Sequence, residues 1–427
     1  MKRRHFVQST LAFTAVGSLS ACASAGRMPE HARVVVIGGG FGGATAAKYV
    51  RLFSDHRIDV VLIEPEAAFV SCPMSNLVIG GSKTLADITT PYGDLASKHG
   101  VLRVQDFATD IDVERKTVML SRGRSIRYDK LVLSPGVDLM FDAVEGLQAA
   151  HASGQILQAW KAGPETLALR RQLQALPDGG VFAIAIPEAP YRCPPGPYER
   201  ASQVASYFKQ SKPRSKVLIL DANPDVTSKA ALFKKFWAEN YAAQLEYIPG
   251  HKATAVDAKN RTLMFEVHSD LKADVLNVLP AMRAGGIARR SGLAGVNARW
   301  CGVNFQTFAS TQAQAQDIHV IGDATLSAPF MPKSGHMANG HGKVAAAAIV
   351  AQLAGLDINP APLLTNTCYS FVNDKSVIHV ASVHQYDAVE KTYKTPPGSG
   401  GLSAAPSELE GLHAWSWARN IWRDTLS

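Results

Sequence analysis

No stretch of this 427-residue chain runs for about 18 apolar residues without interruption, so no transmembrane helix is expected. Its 44 Lys and Arg form no run of the kind nucleic-acid binding needs. The formal charge of +8 is spread out, unlike the clustered basic face that nucleic-acid binding needs. Cysteine is scarce, with five residues, and no C-x-x-C-H occurs, so this chain attaches no c-type haem of its own. The scattered histidines, His336 and His341 among them, lack metal-ligand spacing, and no metal is expected. The chain has no fixed-period repeat and no heptad, which sets aside solenoids and coiled coils. With 46% hydrophobic residues and 34 glycines, the chain reads as a soluble globular protein, too long for one core and suited to two or three domains.

Residues 1–25 stand apart. "KRRHFVQSTLAFTAVGSLSACASA" places Arg3-Arg4 and Phe6 ahead of a short, weakly apolar stretch and then small residues, and resembles a twin-arginine export signal. That route carries folded proteins, which suits a chain that takes up a cofactor before export, and it implies a periplasmic location. Two processing readings stand: cleavage after "ASA" (23–25), which we take as the main one, and lipidation of Cys22 in "LSAC". Removing the leader takes away Lys2, Arg3 and Arg4 and no acid, lowering the charge from +8 to +5.

The body alternates strand and helix patterns. "RVVVIGGGFGGATAAKYVRLF" (33–53) reads as a strand, a glycine turn and a helix, followed by a strand in "IDVVLIEPE" (58–66). Residues 101–127 read as β-ribbon leading into the strand "YDKLVLSPG" (128–136). A second α/β unit begins in "LPDGGVFAIAIPE" (176–188), continues in "SKVLILDANPD" (215–225) and returns through "ADVLNVLPAMRA" (273–284), read as one strand. "DIHVIGDATL" (317–326) reads as a strand ending in Gly-Asp, before a helix over 340–355. From about 356 come short β-like runs, a linker (395–408) and an aromatic end, "LHAWSWARNIW". The expected fold is α/β, with two Rossmann-like dinucleotide-binding domains, the second inserted into the first, plus a C-terminal α+β domain. The expected boundaries are 27–143 and 291–355 for the two parts of an FAD-binding domain, 144–290 for an NAD-like domain, and 356–427 for an interface domain.

Gly38-x-Gly40-x-x-Gly43 lies between a strand and a helix. Gly38 permits the tight turn, Gly40 lets the backbone approach a pyrophosphate, and Gly43 allows close packing, while the helix N-terminus supplies partial positive charge. Glu64 ends the second strand, where an acid accepts hydrogen bonds from ribose hydroxyls. With the late Gly322-Asp323 and the "SPG" turn (134–136), this resembles the glutathione reductase-like flavoproteins. The resemblance implies FAD, with Gly322 and Asp323 bonding the ribityl chain.

In relatives that use NADH a second G-x-G-x-x-G would follow the strand at 180–186. "AIAIPEAPYRCPPGPYERA" has none, and its prolines at 187, 190, 194, 195 and 197 remove N–H donors and fix φ. Nicotinamide binding is therefore expected to be lost, and the stiff loop to hold Cys193.

Outside the leader there are four cysteines, Cys72, Cys193, Cys301 and Cys368, which allow three full connectivities or one bridge plus free thiols, and spacing does not choose among them. "FVSCPMSNLVIGG" (69–81), "YRCPPGPYER" (191–200) and "NTCYSFV" (366–372) resemble the cysteine segments of the flavoprotein chain of flavocytochrome c sulfide dehydrogenases, a likeness that extends over the mature chain. The resemblance implies FAD tethered covalently through Cys72, a redox-active Cys193–Cys368 disulfide over the flavin, and Glu199 as general base. It also implies a small inorganic sulfur substrate, hydrosulfide oxidised to zero-valent sulfur, and a separate c-type cytochrome subunit as acceptor. Cys301 matches no motif and reads as a buried small hydrophobe. The competing readings are a sulfide:quinone oxidoreductase, against which the short tail speaks, and a flavin-bearing electron-transfer or redox-sensing subunit without turnover.

Overall fold

The computed structural model describes residues 31–427; the twin-arginine leader, its cleavage site and Cys22 lie outside the described residues. Along the chain come β1 (Arg33–Ile37), α1 (Phe41–Phe53), β2 (Asp59–Ile63), α2 (Ser75–Gly80), β3 (Leu102–Val104) and β4 (Lys130–Leu133). A second unit follows with β5 (Val181–Ile186), α3 (Gly196–Ser211), β6 (Lys216–Asp221), α4 (Ala230–Asn240), β7 (Leu245–Pro249) and β8 (Val275–Val278). The chain then returns to the first unit through β9 (Ile318–Val320) and α5 (Gly335–Ala354). It ends in β10 (Leu363–Phe371), β11 (Val377–Asp387), β12 (Thr392–Lys394) and α6 (Glu408–Leu426).

The first sheet has the order β9-β4-β1-β2-β3 and the second β7-β6-β5-β8, both parallel throughout. Both have central strands built from Val/Ile/Leu runs without alternation, because those strands are buried on either side. In the first sheet the order reverses at β1, and ligands of open α/β sheets bind beyond the strand ends at such a switch point. Helices α1 and α5 meet at glycines: a Cβ on Gly342 would stand 2.6 Å from the carbonyl oxygen of Gly42. The fold class is the one read from the sequence, two Rossmann-like units and a C-terminal α+β piece.

Three local expectations are corrected. Residues 273–284 are not one strand. The chain breaks around Pro280, so β8 joins the second sheet while Met282–Ala284 pairs antiparallel with Val137–Leu139, beside the crossing between the two units. Helix α5 begins at Gly335 rather than 340, because the Ser334 side chain caps it by accepting from the Met337 amide. The tail is not short: β10 and β11 form a hairpin of nine- and eleven-residue strands in register from Leu363↔Gln385 to Phe371↔Val377, and α6 spans 19 residues.

Candidate active site

The loop between β5 and α3 is shaped by its prolines and by one strained residue. Cys193 adopts a left-handed backbone (φ +59°), which is uncommon away from glycine. It is pinned there by its amide, which donates to the Lys333 carbonyl at 2.8 Å, and by its carbonyl, which accepts from the Gly196 amide at 2.9 Å. Glycine is needed at 196 because a Cβ would stand 2.9 Å from Cys193 Sγ and 2.7 Å from the Trp160 ring.

Cys72 comes from the loop before α2 and Cys368 from β10, in register with Val380. All three of these cysteines line one cavity, together with Trp160, Glu199, His336, Tyr369 and Trp417. They are partly exposed free thiols in this structure, whereas Cys301 is fully buried elsewhere, its thiol pushed up to about 12 by burial. Cys72 Sγ accepts from the Ala162 amide at 3.5 Å and faces Arg192 Nη2 at 3.7 Å; the Asn366 amide nitrogen lies 3.3 Å from Cys368 Sγ.

Glu199 is not a solvated helix-start acid. It is 7% exposed, faces the cavity, and accepts from Asn76 Nδ2 at 2.8 Å and from the Phe371 amide at 2.9 Å, which ties α3 to the hairpin. Burial raises its carboxyl above the usual range, opposed by those two hydrogen bonds and by Lys229 and Arg200. Arg200 beside it is fully buried and staples three segments, through Asn76 Oδ1 (3.1 Å), Asn277 Oδ1 (2.9 Å) and the Ala159 carbonyl (2.6 Å). Burial likewise raises both thiols: Cys193 further through Cys368 and Glu199, while Lys229 and Asn366 hold Cys368 back.

Cys72 and Arg192 also line an adjoining cleft that reaches Gly40, Glu64 and Asp323. Gly38 makes the turn with φ +94°, a Cβ on Gly43 would stand 1.9 Å from the Gly38 carbonyl oxygen, and Gly40 meets nothing within 4 Å. Glu64 is set by the amides of Gly39 (2.6 Å) and Glu66 (2.8 Å). Gly322 adopts φ +71°, and its amide donates to His341 Nδ1 at 3.2 Å; burial lowers His341 to about 3, leaving its ring neutral. Asp323 Oδ1 is buried without a hydrogen-bond partner, although the side chain faces the cleft. An orphaned carboxylate oxygen at one end and an open glycine turn at the other fit the hydroxyls and pyrophosphate of FAD. Among the described residues, no cluster of three or more His, Cys, Asp or Glu is placed to hold a metal, and no helix is long and apolar enough to cross a membrane.

Sequence reasoning missed Arg192, Asn76, Asn366 and Lys229. Arg192 adjoins Cys193, and Asn76 and Asn366 lie in the quoted cysteine segments. Lys229, in "TSKAAL", carries no local signal, and only the fold brings it beside Cys368.

The fold and site together define a flavoprotein of the pyridine nucleotide-disulphide oxidoreductase class, whose sequence profile matches residues 32–164. Two narrower profiles match the rest: "sulfide dehydrogenase (flavocytochrome c) flavoprotein chain, central" over 166–280, and "flavocytochrome c sulphide dehydrogenase, flavin-binding" over 360–426. The sulfide dehydrogenase (flavocytochrome c) flavoprotein chain of Chlorobaculum thiosulfatiphilum is 63% identical over 46 residues, 11% of this chain and 94% of that sequence. The chain belongs to the flavocytochrome c sulfide dehydrogenase flavoprotein family. Mitochondrial sulfide:quinone oxidoreductase of Dictyostelium discoideum is 24% identical over 63% of this chain, and the match spans only 60% of that relative's length. The crystal structure of sulfide:quinone oxidoreductase from Aquifex aeolicus shares the fold, with a TM-score of 0.76 and 20% identity over 92% of this chain and 91% of that one.

Proposed function

We propose that the chain oxidises sulfide to zero-valent sulfur with FAD, using Cys193 and Cys368 as a redox couple and passing electrons to a separate c-type cytochrome subunit. The observation that carries this reading is the convergence of Cys72, Cys193 and Cys368 on one cavity that adjoins the dinucleotide cleft. Hydrosulfide attacks one sulfur of the oxidised pair. The Cys–Cys bond breaks, a cysteine persulfide forms, and the other cysteine leaves as a thiolate. Loss of two electrons and one proton re-forms the bridge and releases the added sulfur as zero-valent sulfur. FAD, when bound, supplies the acceptor for that electron pair and allows it to be passed on singly. Gly38, Gly40, Gly43 and Glu64 would hold its adenosine half, Gly322 and Asp323 its ribityl chain, and Cys72 a thioether tether. Glu199 takes the proton from H₂S or the persulfide; its buried, raised carboxyl suits exchange nearer neutral pH. The export leader supports a periplasmic site of action.

A second reading, quinone as acceptor, is equally compatible with the sulfide:quinone oxidoreductases among the relatives. Helix α6 is a full 19-residue element with Leu409 and Leu412 exposed, so tail length no longer argues against quinone.

The test is anaerobic sulfide added to purified holoprotein. The flavin absorbance is expected to bleach, and Cys193→Ser or Cys368→Ser to prevent it. An unchanged wild-type spectrum would leave a flavoprotein without sulfide turnover. Subsequent reoxidation by cytochrome c or by a soluble quinone separates the two acceptors.

A further inference from the structure

Lys229 is buried (7% exposed) and, like Cys193, holds a left-handed backbone (φ +58°), at the start of α4. Its Nζ donates to the Cys368 carbonyl at 2.9 Å and to Ser370 Oγ at 2.8 Å, and approaches the Ile378 carbonyl at 3.5 Å. These are three neutral oxygens on the two strands of the C-terminal hairpin. A buried ammonium satisfied in hydrogen bonding but not in charge is costly unless an anion stands nearby. The groups that face it are Cys368 on β10, Glu199 on α3, Cys193 on the proline loop and Glu410 on α6, with the Phe233 ring of α4 at 5.9 Å. Burial lowers Lys229 to about 8, and the nearby thiols and carboxylates work against that fall.

We propose that Lys229 is a positioning residue of the thiol pair: it fixes the backbone of Cys368 and supplies the positive charge that stabilises the thiolate released when the Cys193–Cys368 bond opens. The oxidised pair is neutral, and its opening by hydrosulfide creates one anion in a cavity wall whose desolvation raises both thiols. Arg192 faces Cys72 and Cys193, and Arg200 is committed to its staple, so Lys229 is the cation placed on the Cys368 side. Asn366 adds a dipole there without adding charge.

The proposal rests on the reading that Cys193 and Cys368 form a redox couple. It is tested on reduced holoprotein by pulse alkylation with iodoacetamide across the thiol titration range, with Cys368 modification read by peptide mass spectrometry. Lys229→Met is expected to move the Cys368 profile to higher pH and to slow labelling at neutral pH about tenfold, the loss of thiolate that one pKa unit represents. Lys229→Arg is expected to restore most of the rate. Circular dichroism and retained flavin absorbance establish folding; should Lys229→Met fail to fold, Lys229→Gln keeps donors and removes charge. An unchanged profile in a folded neutral variant overturns the proposal, as does a shift that Lys229→Arg leaves in place. Peptide mapping of oxidised wild type separates the two ideas. No Cys193–Cys368 bridge defeats the redox couple itself, whereas a bridge with labelling indifferent to residue 229 defeats the role of Lys229 alone.

Discussion

As the proposed base, Glu199 would also anchor the hairpin, since its two carboxylate oxygens accept from Asn76 and from the Phe371 amide. A base acts in its ionised form, and burial raises the pH at which this one ionises, so its contribution grows as pH rises through that raised value. Glu199→Gln is expected to slow sulfide-driven flavin bleaching by about a hundredfold, a typical contribution for general-base catalysis, in the pH range above that raised value where the substrate still carries its proton, and by less at more acid pH. At alkaline pH, where the substrate arrives already deprotonated, the variant and wild type converge. Stopped-flow bleaching against pH reads this directly; a deficit equal at every pH would instead assign Glu199 to the anchoring of Phe371. The residue's position was legible from "PYERAS", but its burial was not. An acid in the first turn of a helix ordinarily faces water, and only the hairpin docking on α3 covers it.

At the scale of elements, parallel strands and glycine turns were easiest to read, because buried β-branched runs and G-x-G-x-x-G have few other solutions. The hairpin was harder. β10 carries buried Asn366 and Ser370 and half-buried Cys368 among its apolar residues, and β11 carries half-buried His379 and buried His384. Asn366 takes the Ser334 hydroxyl and approaches Cys368, Ser370 accepts from Lys229, and His379 meets Glu410 of α6 at 3.0 Å. Buried polarity of this kind erases the alternation by which a strand is recognised. Helix α6 closes on the hairpin at Gly411, where a Cβ would lie 2.0 Å from the Lys375 carbonyl oxygen. Gly411→Ala is therefore expected to destabilise the C-terminal piece by about 1–3 kcal/mol, the usual scale of overpacking. A lowered first thermal transition checks it, against Gly93→Ala as control, since a Cβ there meets nothing within 4 Å.

For the whole molecule, two units of one architecture have been set to different tasks by the turns that follow their first strands. After β1 the glycine turn leaves Gly40 open to the cleft ahead of α1. After β5 the sheet is equally parallel, yet the loop ahead of α3 has Pro194, Pro195 and Pro197 without amide hydrogens, and the Gly196 amide is spent on the Cys193 carbonyl. A helix N-terminus binds a pyrophosphate through free amides, and here they have been removed or turned inward to hold a cysteine. NADH is accordingly expected to leave the flavin absorbance unchanged under anaerobic conditions in which sulfide bleaches it. Bleaching by NADH at a comparable rate would mean that the nucleotide reaches the flavin without this loop. Glycines restored at 193–197 would regain amides only by surrendering the thiol and the prolines that place it. The same turn thus accommodates a pyrophosphate or a cysteine, and in this chain the cysteine holds it.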